Sequence, residues 1–265
     1  MSRIVSSVVL VAWLAVAPAA HGAEPAVFLE DMTWTEVRDA VAAGRTTVIV
    51  PVGGTEQSGP HMALGKHNVR ARVLAGRIAG ELGNAVVAPV VAYVPEGDVA
   101  GTSGHIRFAG TISVPPAAFE AVLEGAARSF RRAGFRDIVL IGDHGSYQSE
   151  LGSVATKLNR EWAATPVRVH FIAEYYKAQG DPYAAVLRRR GLSEAQIGSH
   201  AGSADTSLML AVDPRLVRAD RMAQPPVAAD GTYGDPRASS AALGEAGVEL
   251  IVRASVNAIR KATVR

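Results

Sequence analysis

Four short, largely apolar runs alternate with longer segments of helical period along most of the chain. Thr46–Val52, Ala85–Val91, Asp137–Ile141 and Val167–Ile172 are rich in β-branched and aliphatic residues and are flanked by Gly, Pro or Asn. That pattern predicts strands buried on both faces. Asn68–Leu82 places Val69, Val73, Leu74 and Ile78 on one side and stops at Gly83. Pro115–Ala133 opens on two prolines and stops at Gly134, and Gln148–Trp162 has the same helical spacing. Further helices are predicted around Pro182–Arg190, Asp205–Leu210 and Ala238–Lys261. Repeated βα units imply an α/β fold, with a mainly parallel sheet carrying helices on both faces. No repeat, low-complexity tract or linker interrupts the pattern, so residues 24–265 read as a single domain.

Residues 1–23 follow another pattern. One positive charge in Met1–Arg3 precedes an apolar run from Ile4 to Val16, broken only by Ser6 and Ser7. Small residues follow (Ala17, Ala19, Ala20, Gly22, Ala23), then Glu24 and Pro25. This is the layout of a cleaved secretory signal peptide. It predicts a mature chain starting between Ala20 and Glu24, located in the periplasm or secreted. No later stretch approaches the length of about 18 apolar residues that a bilayer requires, so no membrane association is expected after cleavage.

Composition narrows the function. With 265 residues, 48% hydrophobic and 20% charged, the chain can bury one large core, which excludes intrinsic disorder. Its 27 basic and 25 acidic residues are interspersed, without the clustered basic charge of a nucleic-acid partner. The absence of cysteine excludes disulfides, thiolate metal sites, iron–sulfur clusters and a thiol nucleophile.

In parallel sheets, ligands collect at the carboxyl ends of the strands. The loops that follow Val52 and Ile141 hold Glu56 and His61, with His67 just beyond, in one case and Asp143 and His144 in the other. A carboxylate and two imidazoles (Glu56, His67, His144) suit Zn²⁺, Mn²⁺ or Fe²⁺, and three protein ligands leave positions open to hold and acidify water. Residue types alone leave open the alternative of solvated loop histidines and capping carboxylates. His170, mid-strand, reads as a packed or surface histidine. A serine hydrolase lacks its Gly-x-Ser-x-Gly elbow here, and no Gly-x-Gly-x-x-Gly phosphate loop is present.

Four segments in order resemble the creatininase (creatinine amidohydrolase) family. The run Pro51-Val-Gly-Gly-Thr-Glu56-Gln-Ser58-Gly-Pro-His61 is similar to its first signature, Pro-x-Gly-x-x-Glu-x-His-Gly-x-His. Gly104-His105-Ile-Arg-Phe-Ala-Gly110-Thr111-Ile112-Ser113 resembles its His-x-x-Phe-x-Gly-Thr-Ile-Ser stretch. Gly134-Phe-Arg-Asp-Ile-Val-Leu-Ile-Gly-Asp-His144-Gly145 resembles its strand followed by Asn-Gly-His-Gly, and His200-Ala-Gly202-Ser-Ala-Asp205-Thr206-Ser207 its His-Ala-Gly-x-x-Glu-Thr-Ser motif. Tyr233-Gly-Asp-Pro236 also fits, and the likeness spans roughly residues 30–260.

The resemblance implies a dinuclear metal centre that hydrolyses a C–N bond in a small-molecule substrate, and a homo-oligomer. Glu56 and His144 stand at ligand positions of the family, His200 at a substrate-pocket histidine suited to proton transfer, and Asp205 at a glutamate. Three positions depart. Ser58 replaces a metal-binding histidine, His67 an aspartate that bridges both metals, and Ser146 a glutamate ligand. A hydroxyl is a poor ligand, and a neutral imidazole does not bridge two cations. The expectation is therefore one divalent metal (Zn, Mn or Fe) per subunit at Glu56, His67 and His144, with Asp205 a candidate fourth ligand. His200 and Asp205 are then the candidates for proton transfer to the leaving nitrogen. Asp143 is a candidate acceptor for the second N–H of His144, His61 for orienting a ligand or for a structural role, and His105 for the pocket mouth. Two rival readings stay open: a scaffold that binds a small molecule without turning it over, and other chemistry at an iron site.

Overall fold

A computed structural model describes residues 26–102 and 104–264. The signal peptide expected at residues 1–23 lies outside the described residues. Four parallel strands, β1 (Thr47–Val52), β2 (Ala85–Val87), β3 (Asp137–Gly142) and β4 (Arg168–Phe171), form one sheet in the order β2-β1-β3-β4. In register, Thr47 sits beside Ala85 on one side and Asp137 on the other, and Asp137 beside Arg168. Every residue of β1 and β3 is buried, as expected for a parallel sheet covered on both faces.

The second strand is shorter than its apolar run. Ala88 still donates to Ile49 O at 2.8 Å, but Pro89 has no N–H to continue the ladder. The chain touches β1 again only at Val91, which pairs with Val52.

The helices are α1 (Trp34–Ala42), α2 (Lys66–Leu82), α3 (Pro116–Arg132), α4 (Gln148–Glu161), α5 (Glu174–Gln179), α6 (Asp181–Arg189), α7 (Glu194–Ile197), α8 (Ser203–Val212), α9 (Ala219–Met222) and α10 (Ala241–Thr263). One core, under α3 and α4, gathers Val48, Val50, Phe119, Leu123, Ile138, Leu140, Leu151 and Leu158. On the other face Ile49, Leu74, Ile78, Val139, Tyr175, Leu208, Val248 and Ile251 form a second core from α2, α5, α8 and α10. Gly244 lets α10 lie directly on α8, because a Cβ there would stand 1.8 Å from Ser207 O. Among the described residues no helix is long and apolar enough to cross a membrane.

Helix α2 begins two residues before its expected start and presents a different face. Val69 and Val73 are only half-buried, whereas Lys66, His67, Arg70 and Ala71 are buried with Leu74 and Ile78. The first turn of α2 faces a polar cluster at the carboxyl edge of the sheet, not the aliphatic core. Helices α1, α5, α7 and α9 had no counterpart in the sequence pattern. All but α1 have only four to six residues, and α1 is fixed by a capping box in which Glu36 N donates to Thr33 Oγ1.

Candidate metal centre

The loops after β1 and β3 are held at the sheet edge by one side chain. Tyr147 is buried; Asp143 N and His144 N donate to its hydroxyl at 3.1 and 3.0 Å, and that hydroxyl is directed at Val52 O and Gly53 O. Asn68 fixes the first loop from α2: its Oδ1 accepts from Gly54 N at 2.9 Å, and its amide donates to Thr55 Oγ1 at 3.1 Å. Gly54 itself has φ +147°, and a Cβ there would approach Glu96 Oε1 to 2.7 Å. Glycine is needed at this position on both counts.

These constraints bring Glu56, His67 and His144 together, with one ligand atom from each inside a 4.8 Å span. Glu56 is fully buried, with Oε1 2.9 Å from His67 Nε2 and Oε2 3.5 Å from His144 Nε2. Behind His67, Nδ1 lies 2.6 Å from Asp143 Oδ1. A neutral ring that donates there has only a lone pair left at Nε2, facing the Glu56 oxygen. Two acceptors 2.9 Å apart require a cation between them, either a proton or a metal ion. Glu56 Oε2 is moreover buried without a hydrogen-bond partner. The donor set and its orphaned oxygen fit a divalent cation bound through N and O atoms.

Asp143 faces His67 and not His144, contrary to the expectation that it would accept from its neighbour. Successive residues at a strand end point to opposite sides. The position behind His144 is taken by Glu96, 3.2 Å from Nδ1, together with Ser146 Oγ at 2.9 Å. Both imidazoles thus turn Nε2 toward Glu56 and are backed by a buried carboxyl group, an arrangement that orients metal-binding histidines.

Electrostatics follow from burial and from the cations of α2. Burial pushes the Glu56 carboxyl up, but His67 and Lys66 outweigh it and hold the group well below the usual carboxylate range. Asp143 is likewise held low against burial by Arg70 and His67. Burial and the neighbouring Glu56 charge push Glu96 the other way, to about 9. Burial, then the charge of His67, lowers His144 to about 3, leaving a neutral ring able to act as a ligand.

Asp205 is not among the groups able to hold an ion. Its Oδ2 accepts from Lys66 Nζ and from Ala201 N, both at 3.0 Å, and its Oδ1 from Arg70 Nη1 at 3.1 Å. Burial opposes ionisation there, but Lys66 and Arg70 keep the carboxylate charged well below its ordinary value. A carboxylate so saturated holds cations in place; it is badly suited to passing protons. His200 donates from Nε2 to Gln57 O at 2.9 Å, which leaves Nδ1 3.8 Å from Glu56 Oε1. Burial and then Lys66 lower it to about 4. The turn leading into α8 is strained at Ala201, with φ 55°, where the backbone N–H reaches Asp205.

His105 lies beside His200, with Nδ1 2.7 Å from the Gln57 side-chain amide and 3.6 Å from Glu56 Oε2. His61 is buried against Thr206, Nε2 to Oγ1 2.9 Å, tying the first loop to α8. His170 pairs with Asp137 at 2.9 Å on β4, away from the cluster. A cavity of about 460 Å³, lined among others by Lys66, His67, His144, Tyr176, His200 and Asp205, opens onto the site.

Glu96, Lys66 and Arg70 are the members of this cluster that the sequence did not single out. Fold and site together define an α/β protein with a carboxylate–histidine cluster that could hold a metal ion at the carboxyl edge of its sheet. The family profile for creatinine amidohydrolase matches residues 30–259, and the chain belongs to that family, the creatininases. The creatinine amidohydrolase of Pseudomonas putida is 29% identical over 259 residues, covering 89% of this chain and 96% of that protein. The mycofactocin precursor peptide peptidase of Mycolicibacterium smegmatis is 30% identical over 226 residues, covering 75% and 78%. A crystal structure of creatininase superposes with a TM-score of 0.76 at 27% identity, covering 91% of this chain and all of that one. Other creatininase structures are described as a manganese form and a "Zn-Zn type".

Proposed function

We propose that this protein hydrolyses a C–N bond, amide or cyclic amide, in a small molecule, using one divalent metal ion held by Glu56, His67 and His144. The observation that carries this reading is the 2.9 Å approach of His67 Nε2 to Glu56 Oε1, with a carboxyl group behind each imidazole. When bound, the ion supplies a Lewis acid that polarises a carbonyl group and makes water nucleophilic near neutral pH. The protein's own groups do the rest. Asp143 and Glu96 fix the two imidazoles through their Nδ1 atoms. His200 is neutral, with Nδ1 turned toward Glu56, and there it takes the proton from water and returns it to the departing nitrogen. Asp205 anchors Lys66 and Arg70. The cavity admits a small substrate beside His144 and His200. Hydrolytic names of the relatives, amidohydrolase and peptidase, support the same reaction class. The apolar leader at residues 4–16 supports export to the periplasm.

The test is calorimetric titration of Zn²⁺ and Mn²⁺ into stripped protein, followed by a screen of cyclic amides and short peptides for amine or carboxylate release. Stoichiometric binding with metal-dependent release is expected. Protein that takes up neither ion overturns the reading.

A further inference from the structure

Glu56 belongs to two groups of three ligand atoms, one with His67 and His144 and one with His105 and His200. The groups are mounted differently. Each imidazole of the first is backed by a carboxyl group, whereas His105 and His200 are held by the side-chain amide and the backbone carbonyl of Gln57. A buried cation also stands beside the second group. Lys66 has a side chain only 1% exposed, with Nζ 3.9 Å from Glu56 Oε1 and 3.0 Å from Asp205 Oδ2.

An ion pair with Asp205 does not by itself account for Lys66, because Arg70 and the Ala201 N–H already satisfy that carboxylate. Lysine is almost never fully buried unless its charge is answered, and here it is answered by Glu56 as well. Of the charged groups around His200, Lys66 opposes positive charge there most strongly. The charge count agrees. With Glu96 protonated, Glu56, Asp143 and Asp205 face Lys66 and Arg70, which leaves one negative charge. One divalent ion already more than cancels it, and a second would add two further positive charges with no carboxylate to answer them.

We propose that Lys66 determines the stoichiometry of the centre: its ammonium group occupies the place in the charge balance of a second metal ion. It keeps the Glu56–His105–His200 group free of metal and His200 free to carry protons. This rests on the reading that Glu56, His67 and His144 hold an ion.

The test compares stripped wild type, Lys66→Met and Lys66→Arg, each loaded with Zn²⁺ and assayed for metal per chain by mass spectrometry and by calorimetry. Wild type and Lys66→Arg are expected to hold one ion, and Lys66→Met two. The second ion is expected to disappear in Lys66→Met combined with His200→Ala. A single ion in folded Lys66→Met, or two in wild type, overturns the proposal and leaves the hydrolase reading intact. No ion in wild type removes the reading beneath it. Should Lys66→Met fail to fold, Lys66→Gln serves in its place, and the wild-type stoichiometry still decides against the proposal if it is two.

Discussion

The two imidazoles of the site stand in walls of opposite character. Behind His67, Asp143 accepts from the imidazole at 2.6 Å, from Arg70 Nε at 2.9 Å and from the Tyr175 hydroxyl at 2.7 Å. Every member of that wall is buried and paired. Behind His144, both oxygens of Glu96 are buried without a hydrogen-bond partner, although the Nδ1 of His144 lies within ion-pair distance. Glu56 Oε2, which faces His144, and Ser58 Oγ, two residues along the same loop, are orphaned too. The first wall is fully paired within the protein and fixes the His67 ring. The second leaves Glu56 Oε2 and Glu96 without a hydrogen-bond partner beside His144, where a bound cation would supply a partner. Internal pairing is thus concentrated on one side of the site.

The largest effect that separates the walls is expected from Arg70→Met. It strips the guanidinium from two carboxylates at once, leaving the buried Asp143 charge to His67 and the Tyr175 hydroxyl alone. Breaking such a pair costs about 3–5 kcal/mol, to be read from urea unfolding of the metal-free protein. A loss within 1 kcal/mol, roughly the worth of an exposed pair, would mean that the saturated wall does not carry the fold. Next in size is Glu56→Ala, which removes the one ligand common to both groups. Stoichiometric Zn²⁺ binding is expected to vanish in calorimetry while the circular dichroism spectrum is kept. Retained binding would place the ion elsewhere.

Smaller and more discriminating is the pair Asp143→Asn and Glu96→Gln. Each weakens the orientation of one ligand imidazole, and losses of such partners cost about 10–100-fold in metal affinity. Both variants should lose affinity in that range, but only Asp143→Asn should also lower the melting temperature of the stripped protein, because only its wall is saturated. Equal melting temperatures for the two variants would erase the distinction.

The sequence disclosed the scaffold better than the walls. β-branched runs ending in Gly53 and Gly142 located the two loops, and residue type with the family resemblance pointed to Glu56 and His144 in them and to His67 just beyond the first. What it hid were groups whose roles depend on depth. Lys66 immediately precedes His67, and nothing in the chain marks a lysine as one of the rare buried ones. Arg70 lies on the same helical stripe as Leu74 and Ile78, one turn ahead of them, and nothing in the chain marks an arginine there as fully buried. Glu96 lies between Pro95 and Gly97 in an irregular stretch with no period to place it, and only the three-dimensional closeness of Gly54 and Ser146 brings it to His144. Its one trace in the sequence is indirect: Ser146 stands where the family carries a carboxylate, which invites a search for another.

The smallest effect concerns pH, where the walls have opposite signs. Asp143 has its folded pKa depressed, so the stability it gives is present above its unfolded value and is lost as pH falls through the folded one. Glu96 is raised to about 9. Its contribution is full below the unfolded value near about 4.3 and declines as pH climbs, because the unfolded chain releases the proton first. The decline ends only above the folded pKa. Metal-free wild type should therefore lose melting temperature steadily between neutral pH and about 9, and Glu96→Gln, with no proton to lose, should lose less over the same interval. Melting curves of the stripped proteins, recorded in the presence of chelator across that interval, give the comparison directly. Parallel slopes would show that Glu96 is already paired before any ion arrives, and the contrast between a finished wall and an unfinished one would fall with it.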